Sequence, residues 1–187
     1  LGLACHPRLK KAACQAILRY GCGAAAARLI SGNHDLYPQL EKRLARFKQA
    51  EAALLFSTGY QANLGVISAL MDSQDVVFSD ALNHASIVDG CRLSRAKVMI
   101  FPHNDLAALE DLLREETSAG RRLIVVDGLY SMDGDVAPLG EIVDLAERYD
   151  CVTMVDDSHG IGVLGETGRG TAEATGVLGR IDIETGS

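Results

Sequence analysis

No stretch of the 187-residue chain approaches the roughly 20 consecutive apolar residues of a membrane-spanning helix, so none is expected. A polybasic run suited to an anionic membrane is missing too. Charge leans the other way: 18 Lys and Arg against 25 Asp and Glu give a net charge of −7. A nucleic-acid binder needs a basic face, so this balance argues against one. The cysteines, Cys5, Cys14, Cys22, Cys91 and Cys151, include no C-x-x-C pair, which argues against a zinc ribbon or a thioredoxin-type site. An odd, scattered set reads as the reduced thiols of a cytoplasmic protein, most of them acting as small buried hydrophobes. There is no internal repeat, low-complexity tract or linker. Leu1-Gly2-Leu3 is neither an initiator methionine nor a signal peptide, and the chain is expected to be a fragment open at both ends. What is present suffices for one domain with a real core.

The pattern of apolar residues sets out the elements. Pro7 suits a helix start, because its missing N–H is not needed there. Leu9, Ala13, Ala16, Ile17 and Tyr20 follow at helical spacing, and Gly21 stops the helix. A second helix is expected from about Pro38, with Leu40, Leu44 and Phe47 on one face. Beyond it, strands are expected at Ala52–Phe56, Val76–Ser79, Lys97–Phe101, Leu123–Val126 and Cys151–Val155. Helices are expected at Tyr60–Met71, Ala85–Leu93, Leu106–Glu116 and Glu141–Tyr149. Such alternation means βαβ units and a mostly parallel sheet. Continuous apolar strands such as Leu123-Ile-Val-Val126 fit a sheet covered on both faces, a three-layer α/β fold. Residues 1–50 read as an N-terminal helical segment and 51–187 as the sheet domain. Gly160 to Gly170 is expected to be an ordered loop.

Ligands of parallel α/β sheets sit beyond the carboxyl ends of the strands. Ser57, Thr58 and Gly59 follow the first expected strand; Asp80, Asn83, His84 and Ser86 follow the second. Asp127, Ser131, Asp133 and Asp135 follow Leu123–Val126, and Asp156, Asp157, Ser158 and His159 follow Cys151–Val155. Each has a plainer alternative. Ser57-Thr58-Gly59 opens a helix, whose free N–H groups favour an anion such as phosphate, but an ordinary N-cap explains the same residues. Asp156 ends a buried strand and needs a cationic partner or several donors, which a protonated pyridine or a structural salt bridge would supply. His84 could stack on a flat ring or be a satisfied, half-buried histidine. His159 could reach the same ligand as Asp156 or be a loop residue, and Ser131 alone is a turn serine. Their convergence at one sheet edge makes the site reading the stronger one.

Two patterns mislead. Gly160-Ile-Gly162-Val-Leu-Gly165 matches G-x-G-x-x-G, but the third glycine of a dinucleotide motif must sit in an opening helix. Glu166-Thr-Gly168-Arg-Gly170 is poor helix sequence. Asp156, Asp157 and His159 could ligate a metal, yet no second His/Cys cluster completes a site, so no metal is expected.

Four segments together resemble one family. They are Arg28-Leu-Ile-Ser-Gly-Asn-His34 followed by Leu40-Glu41; Ser79-Asp-Ala-Leu-Asn-His-Ala-Ser-Ile-Val-Asp-Gly90; Asp127-Gly-Leu-Tyr-Ser-Met-Asp-Gly-Asp135; and Met154-Val-Asp-Asp-Ser-His-Gly-Ile-Gly-Val-Leu-Gly165. In this order they resemble the α-oxoamine synthases, pyridoxal 5'-phosphate (PLP) enzymes of the aspartate-aminotransferase-like fold. The resemblance runs over essentially the whole chain, which looks like about half of such an enzyme. It implies the large-domain fold for 51–187, PLP as cofactor, and a homodimer. Thr58-Gly59-Tyr60 resembles the phosphate loop and His84 the imidazole stacked on the pyridine ring. Ser131 and His159 resemble the partners of the ring hydroxyl, and Asp156 the carboxylate that keeps the ring nitrogen protonated. His84 and His159 would be this chain's catalytic side chains.

The implied reaction joins an amino acid to an acyl-CoA or acyl-carrier thioester with loss of carbon dioxide. Asp133-Gly-Asp135 with Ala137-Pro138-Leu139 is most similar to members joining L-alanine to a pimeloyl thioester for biotin synthesis. Asn83–Gly90 is equally similar to members joining glycine to acetyl-CoA. The lysine that holds PLP in the family has no counterpart: the lysines are Lys10, Lys11, Lys42, Lys48 and Lys97. The resemblance places it just beyond a strand like Asp182–Ser187, so the chain as given is expected to be inactive. A non-catalytic partner subunit is the alternative, though such a subunit has no need of Asp156, His84 and His159 together. Gly23-Ala-Ala-Ala-Ala-Arg28 departs from the glycine-richer family pattern, and alanine tolerates φ > 0 poorly.

Overall fold

The computed structural model describes residues 1–187 as two compact units, Leu1–Leu55 and Phe56–Ser187. The first unit holds helix α1 (Pro7–Tyr20), a π-helical turn (Arg28–Gly32) and helix α2 (Leu36–Lys48). Pro7 is the first residue of α1 and Gly21 its C-cap, as the sequence requires. Helix α2 starts two residues before Pro38, which the first turn accommodates because N–H groups there lack intrahelical acceptors. Arg28 ties this unit together: its guanidinium donates to Glu41 at 2.8 Å and to the Leu55 carbonyl at 3.2 Å, and it lies over the Tyr37 ring.

The expected strand at Ala52–Phe56 does not form. The Leu55 amide donates to the Glu41 carboxylate, and its carbonyl accepts from Arg28. Side chains thus satisfy the backbone groups that a ladder would use. A short apolar run is an ambiguous signal, and here it stays unpaired.

The second unit alternates as expected: α3 (Gly59–Leu70), β1 (Val76–Asp80), α4 (Ala85–Ser94), β2 (Lys97–Phe101), α5 (Leu106–Glu115), β3 (Arg122–Asp127), α6 (Leu139–Arg148), β4 (Val152–Asp156), α7 (Thr171–Ala174) and β5 (Ile183–Thr185). All pairings are parallel, in the order β2-β1-β3-β4-β5. Successive strand side chains point to opposite faces. Val76, Phe78, Ile124, Val126 and Val155 pack with Leu109 and Leu113 of α5 and with Leu139, Ile142 and Leu145 of α6. Val77, Leu123, Val125 and Met154 pack with Ile67 of α3 and with Ile87 and Cys91 of α4. The result is the expected three-layer α/β architecture, a parallel sheet covered on both faces. No helix is long and apolar enough to cross a membrane.

The strand order positions the site. The chain leaves β1 for α4 on one face and leaves β3 for α6 on the other. Loops that part in this way open a crevice at the carboxyl ends of the two strands.

Candidate functional site

Asp127 and Asp156 end β3 and β4 and stand side by side in register. Both are buried. Asp156 accepts from the Asn63 amide at 2.6 Å and from the Ser158 backbone N–H at 3.0 Å. A carboxylate has about four acceptor positions, so capacity remains for a further donor. Asn63 directs its second amide hydrogen to Ser86 Oγ at 2.9 Å, and its own oxygen accepts from the Thr185 hydroxyl at 2.7 Å. Ser86 Oγ lies 2.7 Å from His84 Nδ1, and the Ser86 backbone N–H donates to the same nitrogen at 3.3 Å. Backbone N–H groups only donate. Nδ1 is therefore the acceptor, and the neutral ring of His84 carries its proton on Nε2. One hydrogen-bonded chain thus runs from the Asp156 carboxylate to the His84 imidazole.

Helix α3 points its N-terminus at the same place. Thr58 is its N-cap and accepts from Gln61 N–H at 3.1 Å, so the capping role is real. The Thr58 hydroxyl hydrogen and the first free N–H groups of the helix remain to meet an anion. Gly59 has to be a glycine for lack of room: a Cβ there would lie 2.9 Å from Ser187 Cβ and 3.8 Å from Ser158 Oγ. Tyr60 meets the His84 ring edge-on at 6.3 Å, and its hydroxyl is held by Asp89.

Gly59, Tyr60, His84, Asp156 and His159 line one cavity of about 140 Å³. Asn63, Ser86, Asp127, Ser158 and Ser187 complete the lining, with no Lys or Arg among them. Burial, reinforced by the Asp156 and Asp80 charges, pushes the Asp127 carboxyl up to about 7. Thr58 stands just outside as the cap. Ser131 is not brought in: it is exposed in the turn that follows Tyr130 and does not line the cavity. Lys97, the one lysine of the second unit, pairs with Glu116 at the opposite, amino end of β2. A larger hollow of about 360 Å³ in the first unit, lined by Ile17, Tyr20, His34 and Tyr37 among others, is apolar and lacks paired acid–base groups.

Asn63 is the site residue that the sequence did not single out, whereas Asp127 was placed at this sheet edge as a strand-end residue without a role. The available signal for Asn63 was a polar residue four before Ile67, on the stripe of α3 that faces the sheet. Asp157 turns away from the cavity to accept from the Thr171 hydroxyl and N–H. Gly160–Gly165 runs as turns and opens no helix, so the dinucleotide pattern lacks its structural context.

Residues 2–186 match the family model described as aminotransferase class I and II. The chain is 59% identical to 8-amino-7-oxononanoate synthase of Geobacter sulfurreducens over 187 residues, covering 100% of this chain and 48% of that protein. The chain thus spans about half the length of the curated relatives it matches. Among solved structures it is similar to a serine palmitoyltransferase variant from S. paucimobilis with a bound PLP–myriocin aldimine (TM-score 0.94, 38% identity, 97% of this chain and 46% of that one). It is also similar to 8-amino-7-oxononanoate synthase from Francisella tularensis (TM-score 0.78, 30% identity, 93% of this chain and 47% of that one).

Proposed function

The chain belongs to the aminotransferase class I and II family, and from that premise we propose that it forms the cofactor-binding half of a cytoplasmic, homodimeric PLP enzyme. The reaction proposed is the decarboxylative condensation of L-alanine with a pimeloyl thioester to 8-amino-7-oxononanoate. The observation that carries this reading is the hydrogen-bonded chain from Asp156 through Asn63 and Ser86 to His84, at the mouth of a helix N-terminus. The identity to synthases of that name supports the alanine and pimeloyl choice over glycine and acetyl-CoA.

The cavity fits the cofactor on two counts. Two adjacent buried carboxylates with no Lys or Arg beside them suit a cationic ring. A helix that opens on Gly59, with no side chain beside its first free N–H groups, suits close approach of a phosphate. When bound, PLP supplies an electron sink for the carbanion at the substrate Cα. Asp156 would hold the proton on the ring nitrogen, with Asn63 and the Ser158 N–H fixing its carboxylate. His84, oriented by Ser86, would stack on the ring. His159 would hydrogen-bond the ring hydroxyl, a role proposed for Ser131 as well. Thr58, Gly59 and Tyr60 would hold the phosphate through the Thr58 hydroxyl and the backbone N–H groups.

The test is turnover by the full-length protein with L-alanine and pimeloyl-CoA. Coenzyme A and 8-amino-7-oxononanoate should appear together, and Asp156→Ala should lower kcat/KM on the order of 10²-fold or more, as lost preorganised charge does. Preference for glycine with acetyl-CoA, or no turnover with either pair, contradicts the reading.

A further inference from the structure

A second group of acid–base side chains lies outside the cavity, at the carboxyl end of β1. The His103 ring stands between two carboxylates: Nδ1 is 3.0 Å from Asp80 Oδ1, and Nε2 is 2.6 Å from Asp135 Oδ2. Ionised carboxylates only accept, so both ring nitrogens must donate, and the imidazolium is the form that satisfies both contacts. Asn104 repeats the link. Its backbone N–H donates to Asp80 Oδ2 at 2.9 Å and its amide to Asp135 Oδ2 at 3.1 Å. It adopts φ 54°, a left-handed conformation that asparagine tolerates better than most residues.

Asp80 belongs to the sheet, and the backbone N–H groups of Leu82 and Asn104 donate to its carboxylate. Asp135 belongs to the loop between β3 and α6. That loop is closed on itself: Tyr130 N–H donates to the Asp135 carbonyl, and Gly134 N–H donates to the Tyr130 carbonyl. Tyr130 is buried and meets the His103 ring edge-on at 4.4 Å. Ser131 is the next residue. The two residues that set its place, Tyr130 and Asp135, both rest on His103.

We propose that His103 is a positioning residue, a charged staple joining the end of β1 to the 128–137 loop and fixing where Ser131 stands. The inference rests on the proposed function only in giving Ser131 a partner on the cofactor. Asp80, Asp135 and the Tyr130 ring are the groups that face His103, and Asp127 stands behind Asp80. Burial favours the neutral ring, but the hydrogen bonds and charges of Asp135 and Asp80 together outweigh it and raise the His103 pKa. A raised histidine pKa means a staple intact below the ordinary value and released as pH rises through the folded one.

The test uses the full-length protein and two exchange measurements by mass spectrometry. Exchange of the His103 ring carbon proton against pH reads its pKa, and amide exchange reads the loop. The pKa should lie above the usual value of about 6.5 and fall in Asp135→Asn. Amides of 128–137 should exchange about fivefold faster or more in His103→Gln and in Asp135→Asn, while those of α6 stay protected, as for local opening. PLP affinity should drop in His103→Gln at pH 7, and wild-type affinity should decline toward it at higher pH. A His103 pKa at or below about 6.5, or loop exchange unchanged in both variants, overturns the proposal. Absence of synthase turnover with the exchange results intact overturns the functional reading alone.

Discussion

Asp127 shows how a single carboxyl can report the state of the whole site. It lies beside Asp156 on the neighbouring strand and accepts only a long 3.4 Å bond from the His84 N–H. Its pKa of about 7 in the folded chain stands well above the roughly 3.9 of an exposed aspartate. Between those values the folded state binds the extra proton, so stability falls as pH rises through that window. Asp127→Asn keeps the shape and removes the titration. Without ligand, the variant should gain on the order of 1 kcal/mol or more over wild type between pH 5 and pH 8, read by urea unfolding. An equal difference at both pH values would show that Asp127 is ionised throughout. The aspartates were legible as strand-end residues because apolar strands announce their own ends. Their pairing was not, since it depends on which strands are neighbours. Asn63 was illegible for a related reason: a lone asparagine in a helix acquires meaning only when the helix is docked on the sheet.

Among the elements, the periodic helices and the apolar strands of the sheet were read to within two residues, and the strand expected at Ala52–Phe56 was not borne out. Val76–Asp80 and Lys97–Phe101 carry continuous apolar runs that a ladder completes. Ala52–Phe56 has the same local composition, but Arg28 and Glu41 capture its backbone. The π-turn and α7 are five and four residues long and carry no apolar period, and β5 lies within Asp182–Ser187, where only the family resemblance pointed to a strand. The alanine run is more instructive. Ala25 adopts φ 57°, the left-handed conformation that its methyl group opposes by about 1–2 kcal/mol. Glycine there removes the clash but gives up about 0.5–1 kcal/mol to chain entropy. Ala25→Gly should therefore stabilise the first unit slightly, by up to about 1 kcal/mol, and calorimetry would show a small rise in Tm. A clear fall would mean that the loop does not use this conformation.

For the molecule as a whole, the alternation of strands and helices specified a covered parallel sheet. The order β2-β1-β3-β4-β5 needed the structure, because it depends on where the chain reverses direction across the sheet. That reversal puts His84, after β1, next to Asp127 and Asp156, at the ends of β3 and β4. It brings residues as far apart in the chain as Gly59 and Ser187 into one cavity. Ser131 is the part left incomplete: its turn is anchored by Tyr130 and Asp135 but stands outside the lining.

A spectroscopic titration of the full-length protein with PLP, comparing wild type with Asp156→Asn, decides whether this sheet edge holds the cofactor. If this sheet edge holds the cofactor ring, wild type binds PLP, and the variant binds it at least about tenfold more weakly, because the neutral amide no longer holds the pyridinium proton. Equal affinity and equal spectra in the two proteins would place the cofactor elsewhere and contradict the account.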